Sequence, residues 1–214
     1  MSDFSVIFNE ISELLQKGKA KEITGAVEKA LSEGAAAADI LNNGLLAGMS
    51  IIGGKFKRGE VFVPEVLIAA RAMNRASATL KPALTEAGVQ SVGTAIICTV
   101  KGDLHDIGKN LVRMMIEGKG IDVVDLGVDC PNEKIVEAVR NSEAKVLCLS
   151  ALLTTTMNMQ KEVIDALKDA GLRSKVKIMV GGAPITQGFA DEIGADAYTP
   201  DAASAAEVCR AFYN

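Results

Sequence analysis

The chain of 214 residues has no tryptophan, two tyrosines, six phenylalanines and a single histidine. No basic cluster or basic–aromatic stripe appears, so no nucleic-acid surface is expected. The short run Lys55-Phe56-Lys57-Arg58 is closely followed by Glu60 and reads as a solvated helix end. No apolar run approaches the roughly 18 residues of a membrane span, so no membrane partner is expected. The start Met1-Ser2-Asp3-Phe4 lacks a basic region leading into an apolar stretch, so no secretory leader is expected either. The four cysteines (Cys98, Cys130, Cys148 and Cys209) form no C-x-x-C pair, which argues against a zinc site or a disulfide framework. Cys98 and Cys148 lie in apolar strand-like runs and read as buried core thiols. A reducing cytoplasm fits this usage. There is no internal repeat and no low-complexity tract.

What is present is 49% hydrophobic residues, a net charge of −4 and a wealth of alanine and glycine. Such a composition buries a core and lets elements approach closely. The first third has a helical period. Phe4, Ile7, Phe8, Ile11, Leu14 and Leu15 share one face, and Ile23, Val27, Ala30 and Leu31 another. Leu41, Leu45, Leu46, Met49, Ile52 and Phe56 mark a third helix. Pro64 suits the first turn of a fourth, running through Leu67, Ala70, Met73 and Leu80. Short connections predict an antiparallel four-helix bundle over residues 1–87, with Pro82 and Gly88 marking a linker.

Beyond it, residues 91–214 alternate strand-length apolar runs with helical stretches. The strands are expected at 94–100, 121–126, 145–150, 176–180 and 195–198. Helices are expected at 107–119, 132–141, 158–170, 186–193 and about 202–212. This predicts a five-stranded parallel sheet covered by helices on both faces, flavodoxin-like or Rossmann-like in class. The whole is thus an α plus α/β two-domain chain. Ligands of such sheets bind beyond the carboxyl ends of the strands. That directs attention to the loops 101–106, 127–131, 151–157, 181–184 and 199–201.

The first of these loops and the residues after it read Asp103-Leu104-His105-Asp106-Ile107-Gly108. The third begins at Ser150-Ala151-Leu152 and the fourth at Gly181-Gly182. Forty-one residues separate Gly108 from Ser150, and twenty-eight separate Leu152 from Gly181. These residues and spacings resemble the D-x-H-x-x-G, S-x-L and G-G signature of the cobalamin-binding domains of methionine synthase, several mutases and corrinoid methyl carriers. The helical part resembles the cap of the methyl-transferring members from Gly48-Met49 through Gly59-Glu60-Val61-Phe62-Val63-Pro64, so the resemblance spans the chain.

The histidine count agrees. One histidine cannot build a metal site from protein ligands, since zinc needs three or four. It can supply one axial ligand to a metal whose other positions a macrocycle fills. His105 is therefore expected to hold cobalt, with one corrinoid per chain. Asp103, two residues earlier, can accept the protonated ring nitrogen and leave the other for the metal. An ordinary turn aspartate would look the same in sequence. Gly102 and Gly108 suit a sharp turn and close approach to a large ligand.

Other roles come from the resemblance alone. It implies that Ser150, Leu152 and Thr154, with Gly181, Gly182 and Ala183, line a slot for the nucleotide tail. It implies that Thr156 completes a relay to Asp103, here with threonine in place of the more familiar serine. Leu104, Asp106 and Ile107 complete the signature loop. Phe56 and Val63 match cap residues over the corrin, though seven-residue spacing also serves a plain core. Gly53-Gly54-Lys55 is no phosphate loop, because the spacing and the following Ser/Thr are missing. No G-x-G-x-x-G follows the first strand, which argues against a nicotinamide cofactor.

The functional reading that results is a methyl carrier, a subunit of a methyltransferase system rather than a complete enzyme. The nearest resemblance is to corrinoid proteins of methylamine methyl transfer in methanogens, with monomethylamine favoured. This implies three partners: a substrate-specific methylamine methyltransferase, a second methyltransferase that methylates coenzyme M, and a reductive activation protein. Carriers for methanol or methoxylated aromatics are an alternative. A cobalamin-dependent sensor is another, but its usual DNA-binding module and Trp-bearing cap motif are missing. A receiver domain would need an aspartate where Ser150 stands.

Overall fold

The computed structural model describes residues 4–214, which divide into two compact units, 4–90 with 118–120, and 91–117 with 121–214. The leader expectation drawn from Met1, Ser2 and Asp3 lies outside the described residues.

In the first unit, α1 (Ser5–Gln16) buries Ile7, Ile11 and Leu15, and α2 (Ala20–Ser32) buries Ile23, Ala26, Val27 and Ala30. The third helical rod is not uniform. A single turn, α3 (Ala37–Asp39), leads into a π-helical stretch over Ile40–Leu46 and then α4 (Ala47–Lys57). The cause is close packing on α1. A Cβ on Gly44 would lie 2.9 Å from Ile11 Cγ2, and one on Gly48 would lie 3.1 Å from the Ser12 carbonyl oxygen. The wide turn shifts the helical phase. Ile40, Leu45, Met49 and Ile52 are consequently buried, while Leu41, Leu46 and Phe56 from the predicted stripe are half-buried.

The fourth rod, α5, spans Val63–Glu86 with Pro64 in its first turn, where the Glu65 carboxylate accepts the Phe62 N–H at 3.0 Å. Pro82 was expected to mark the linker and instead lies inside this helix. Its ring is exposed, and the buried face continues past it through half-buried Ala83 and Leu84. Termination comes at Gly88, whose φ of 68° carries the chain out of the helix. Helix α2 packs on α5, and α1 packs on α2, α4 and α5, giving the four-rod arrangement.

In the second unit, five strands form one parallel sheet in the order β2-β1-β3-β4-β5. They are β1 (Thr94–Thr99), β2 (Asp122–Asp125), β3 (Val146–Ser150), β4 (Lys177–Gly181) and the two-residue β5 (Ala197–Tyr198). The central strands β1, β3 and β4 are almost wholly buried, as two-sided cover demands. Helix α6 (Ile107–Glu117) packs with α10 (Ala202–Ala211). On the other side α7 (Asn132–Arg140) packs with α8 (Asn158–Asp169), and α8 with α9 (Gln187–Ile193). Right-handed crossovers account for this split. The core joins Ile96, Cys98 and Val100 of the first strand region to Leu147, Leu149, Ile164, Leu167 and Ile178. All four cysteines are buried free thiols. No helix among the described residues is long and apolar enough to cross a membrane.

Candidate functional site

The register of the sheet assembles the site. Thr99 lies opposite Ser150, and Ser150 opposite Gly181, so β1, β3 and β4 end side by side. Strand order reverses between β1 and β3, and this opens the crevice where ligands of such sheets sit.

Asp103 is the hub of that crevice. Its side chain is fully buried, whereas the His105 side chain is 49% exposed. Oδ1 of Asp103 accepts the His105 backbone N–H at 3.1 Å and lies 2.7 Å from His105 Nδ1. Oδ2 accepts the Leu152 N–H and the Thr156 hydroxyl, each at 2.7 Å. Burial alone pushes a carboxyl's pKa up, but the donors from Leu152, Thr156 and His105 outweigh it and hold Asp103 well below the usual carboxylate range. Asp103 is therefore an anion that can only accept from Nδ1, and in the neutral imidazole this leaves Nε2 as the ring nitrogen with a free lone pair. The Thr99 hydroxyl donates to the His105 carbonyl oxygen at 2.8 Å, which pins the loop from behind.

Threonine at 156 keeps the donor expected of a hydroxyl there, and its side chain is buried. Its methyl group would lie 3.7 Å from a Cβ built on Gly102. The glycines divide their roles in ways the sequence does not show. Gly102 has φ 80° and makes the turn. Gly108, expected to share in that turn, is instead in the first turn of α6, and a Cβ there would meet nothing within 4 Å. Gly182 has φ 131°, and its Cβ would lie 1.7 Å from the Ala151 carbonyl oxygen, so neighbouring backbone forbids a side chain. Gly181 is the last residue of β4, where a Cβ would make only ordinary contact with Thr199.

Among the remaining candidates, Leu152, Thr154 and Ala183 are exposed on the strand-end loops, and Ser150 is half-buried at the end of β3. Asp106 is exposed, and its carboxylate accepts from Asn110 Nδ2 at 3.1 Å, steadying the start of α6. Phe56, in the last turn of α4, and Val63, first in α5, belong to the helical unit and are half-buried.

Three side chains matter that sequence reasoning passed over. Lys109 is almost fully buried and pairs with Asp125 at 2.5 Å, tying α6 to β2. Gln160 is fully buried and donates to the Leu149 and Gly181 carbonyl oxygens, joining β3 to β4. Asp129 reaches the Asp103 loop from the next loop along. A buried lysine or glutamine has no local signature; only the tertiary partner reveals it.

The crevice suits a metal-bearing apolar macrocycle. Leu104 and Ile107 are 72% and 75% exposed on either side of His105, and Leu152 and Leu153 are also open. Large apolar side chains bared around one imidazole need a covering ligand. The open space beside Gly108 admits close approach. A cleft of about 410 Å³ adjoins the site, lined by Gly102 and Thr156 together with Lys101, Asn132, Glu133, Thr155, Met159 and Glu162. No group of three or more potential metal-ligating side chains occurs among the described residues, so any metal here must bring its other ligands with it.

Comparison with known proteins agrees with this chemistry. Two family models, each described as a B12 binding domain, match residues 7–81 and 93–209. Dimethylamine corrinoid protein 1 of Methanosarcina mazei is 43% identical over 208 residues, covering 96% of this chain and 95% of that one. Monomethylamine corrinoid protein 2 of the same organism is 40% identical over 207 residues, covering 94% and 95%. Among solved structures, the methanol:cobalamin methyltransferase complex MtaBC of Methanosarcina barkeri matches with a TM-score of 0.88 at 30% identity, covering 97% of this chain and 79% of that one.

Proposed function

Because the chain belongs to the B12-binding corrinoid proteins, we propose that it carries methyl groups for a methylamine methyltransferase system, with His105 as the residue that would hold the cobalt of its corrinoid. When bound, the corrinoid supplies the cobalt centre that takes up and releases the methyl group.

The chain's own residues supply orientation, charge and cover. His105 presents Nε2, and Asp103 fixes the tautomer that makes this nitrogen the donor. Leu152 N–H and Thr156 Oγ1 hold the Asp103 carboxylate so that it cannot swing away from Nδ1. Exposed Leu104 and Ile107 offer apolar contact to the ring. Gly108 leaves room beside it, and Ser150, Leu152, Thr154, Gly181, Gly182 and Ala183 surround the path of the nucleotide tail. Phe56 and Val63 are assigned to the helical cap that shields the reactive face from water. The one observation that carries this reading is the anionic Asp103 clamped against Nδ1 of the only histidine.

Relatives are named for mono- and dimethylamine at nearly equal identity, 40% and 43%, so overall similarity does not rank those two donors. A methylamine methyltransferase is the assigned donor-side partner. A corrinoid protein pairs with a methyltransferase in the MtaBC complex, which supports this assignment. Coenzyme M methylation by a second methyltransferase and rescue by a reductive activator complete the proposed cycle.

The test is reconstitution of the full chain with hydroxocobalamin, followed by reduction and incubation with a panel of methyltransferases and donors. Corrinoid should stay with the chain through gel filtration, and a methylamine enzyme should methylate it faster than a methanol or methoxylated-aromatic enzyme. In protein made with nitrogen-15-labelled histidine, so that the corrinoid's own base is not counted, His105→Ala should remove the nitrogen-15 hyperfine pattern from the cobalt paramagnetic resonance spectrum. Free loss of the corrinoid, or a spectrum unchanged in His105→Ala, overturns the reading.

A further inference from the structure

The loop after β2 has no role in the function proposed above, yet it contains a strained residue. Asp129 has φ 49°, the single positive value outside glycine among the described residues. Left-handed backbone is unfavourable for a residue with a Cβ, and glycine would adopt it freely. Aspartate is among the few residues with a Cβ that tolerate this conformation, and its side chain can make a hydrogen bond that glycine could not.

What it does is reach the ligand loop. Asp129 Oδ1 accepts the Gly102 N–H at 2.6 Å, across 27 positions of sequence. The Asp129 N–H in turn donates to the Asp103 carbonyl oxygen at 2.9 Å. These two bonds hold the Lys101–Gly102 peptide, one residue ahead of Asp103, and the carbonyl immediately after the Cα of Asp103, the residue whose carboxylate orients His105. The gripping loop is itself fixed. Thr99 N–H donates to the Gly127 carbonyl oxygen at 3.0 Å, Cys130 N–H donates to the Thr99 carbonyl oxygen at 3.1 Å, and Gly127 N–H donates to Asp125 Oδ1 at 2.9 Å. The loop therefore moves with the end of β1.

We infer that Asp129 is a positioning residue for the His105 imidazole: its left-handed backbone and its carboxylate hold the Lys101–Gly102 and Asp103–Leu104 peptides, one on each side of Asp103, and so set the direction in which Nε2 is presented. The consequence for cobalt rests on the reading of His105 as the axial ligand; the consequence for the imidazole does not. Thr99 acts on the same loop through the His105 carbonyl oxygen, so losing Asp129 loosens the loop at one end only.

The experiment compares the full chain with Asp129→Gly and Asp129→Asn. Glycine accepts the backbone conformation without strain but removes the acceptor for Gly102. Asparagine tolerates the conformation and keeps an Oδ1 acceptor. In the corrinoid-free protein, Asp129→Gly should retain a cooperative thermal transition. Its Gly102 amide should exchange on the order of tenfold faster, as expected for one lost hydrogen bond. The nitrogen-15 resonances of the His105 ring should broaden or shift. In protein carrying nitrogen-15-labelled histidine, loaded with hydroxocobalamin and reduced to Co(II), the fraction showing nitrogen-15 hyperfine splitting should fall several-fold at equal corrinoid content. Asp129→Asn should restore all three readings.

Wild-type imidazole resonances in Asp129→Gly, or failure of Asp129→Asn to restore them, overturn the inference. The corrinoid-free arm keeps the two readings separate. If the wild-type protein shows no nitrogen-15 splitting at all, the ligand assignment fails, while the ring resonances still decide whether Asp129 positions His105.

Discussion

Asp103 and Thr156 stand 53 positions apart in sequence and share a 2.7 Å hydrogen bond between Oδ2 and Oγ1, inside a crevice that excludes both side chains from solvent. This bond ties the loop after β1 to the loop after β3. It makes the orientation of His105 depend on a residue with no contact of its own to the imidazole among the hydrogen bonds of the site.

Replacing Thr156 by valine keeps the shape and removes the donor. One oxygen of a buried carboxylate then loses a partner, and the folded state should be destabilised by about 1–3 kcal/mol. Thr156→Ser, which keeps the hydroxyl, should cost less than half as much. Urea unfolding of the corrinoid-free protein measures both. A loss in Thr156→Ser as large as that in Thr156→Val would show that the hydroxyl is not what holds this site together.

Acid should reveal the Asp103 anion. Its pKa in the folded chain lies below that of the unfolded chain, so the unfolded state takes up the proton first as pH falls. The stabilisation is fully present above the unfolded value of about 3.9 and is lost as the pH falls below it toward the folded value. Asp103→Asn should be less stable than wild type at neutral pH, and its unfolding midpoint should change less steeply below about pH 4. Parallel curves for the two proteins would show that the acid sensitivity resides elsewhere, with Asp125 and Asp196 next to be tested, since both are also held low.

The signature glycines should respond in opposite ways to alanine. Gly182→Ala drives a Cβ into the Ala151 carbonyl group at positive φ and should cost about 3 kcal/mol or more. Gly108→Ala meets open space in a helix and should stabilise the corrinoid-free chain by up to about 1 kcal/mol. If that space accommodates the cofactor, the same Gly108→Ala protein should bind hydroxocobalamin more weakly. Thermal unfolding and equilibrium dialysis separate the two effects.

Lys109 offers a test of the α6 anchor. Lys109→Met removes the cation of a pair whose lysine side chain is 2% exposed, leaving Asp125 with Arg113 at 3.6 Å and the Gly127 N–H. A loss of about 3 kcal/mol is expected, and adding Asp125→Asn should recover part of it by removing the stranded charge. A double-mutant cycle by urea unfolding gives the coupling directly.

The sheet could be read from the sequence because buried parallel strands are written as unbroken apolar runs, as at Ala95 to Cys98 and Val146 to Leu149. The short spacing from Asp103 to His105 likewise fixes a local hydrogen bond, and the structure contains it. Contacts between distant segments were not readable. The π-helical turn at Ile40–Leu46 depends on Gly44 and Gly48 meeting α1. Pro82 reads as a breaker until the helical face on either side of it is known. The signs of φ at Gly102 and Gly108 differ although both look like turn glycines, and Asp129 looks like any polar residue of a loop. For Gly44 and Asp129 the deciding partners, Ile11 and Gly102, lie far along the chain.

The margins of the sheet have a consequence of their own. One border is β2, which begins and ends with aspartate, and the other is β5, only two residues long. Short or acidic borders give a stray chain little backbone to zip onto, which protects against fibrillar aggregation. Association with other proteins is thereby left to side-chain surfaces, where it can be made and broken without disturbing the strands.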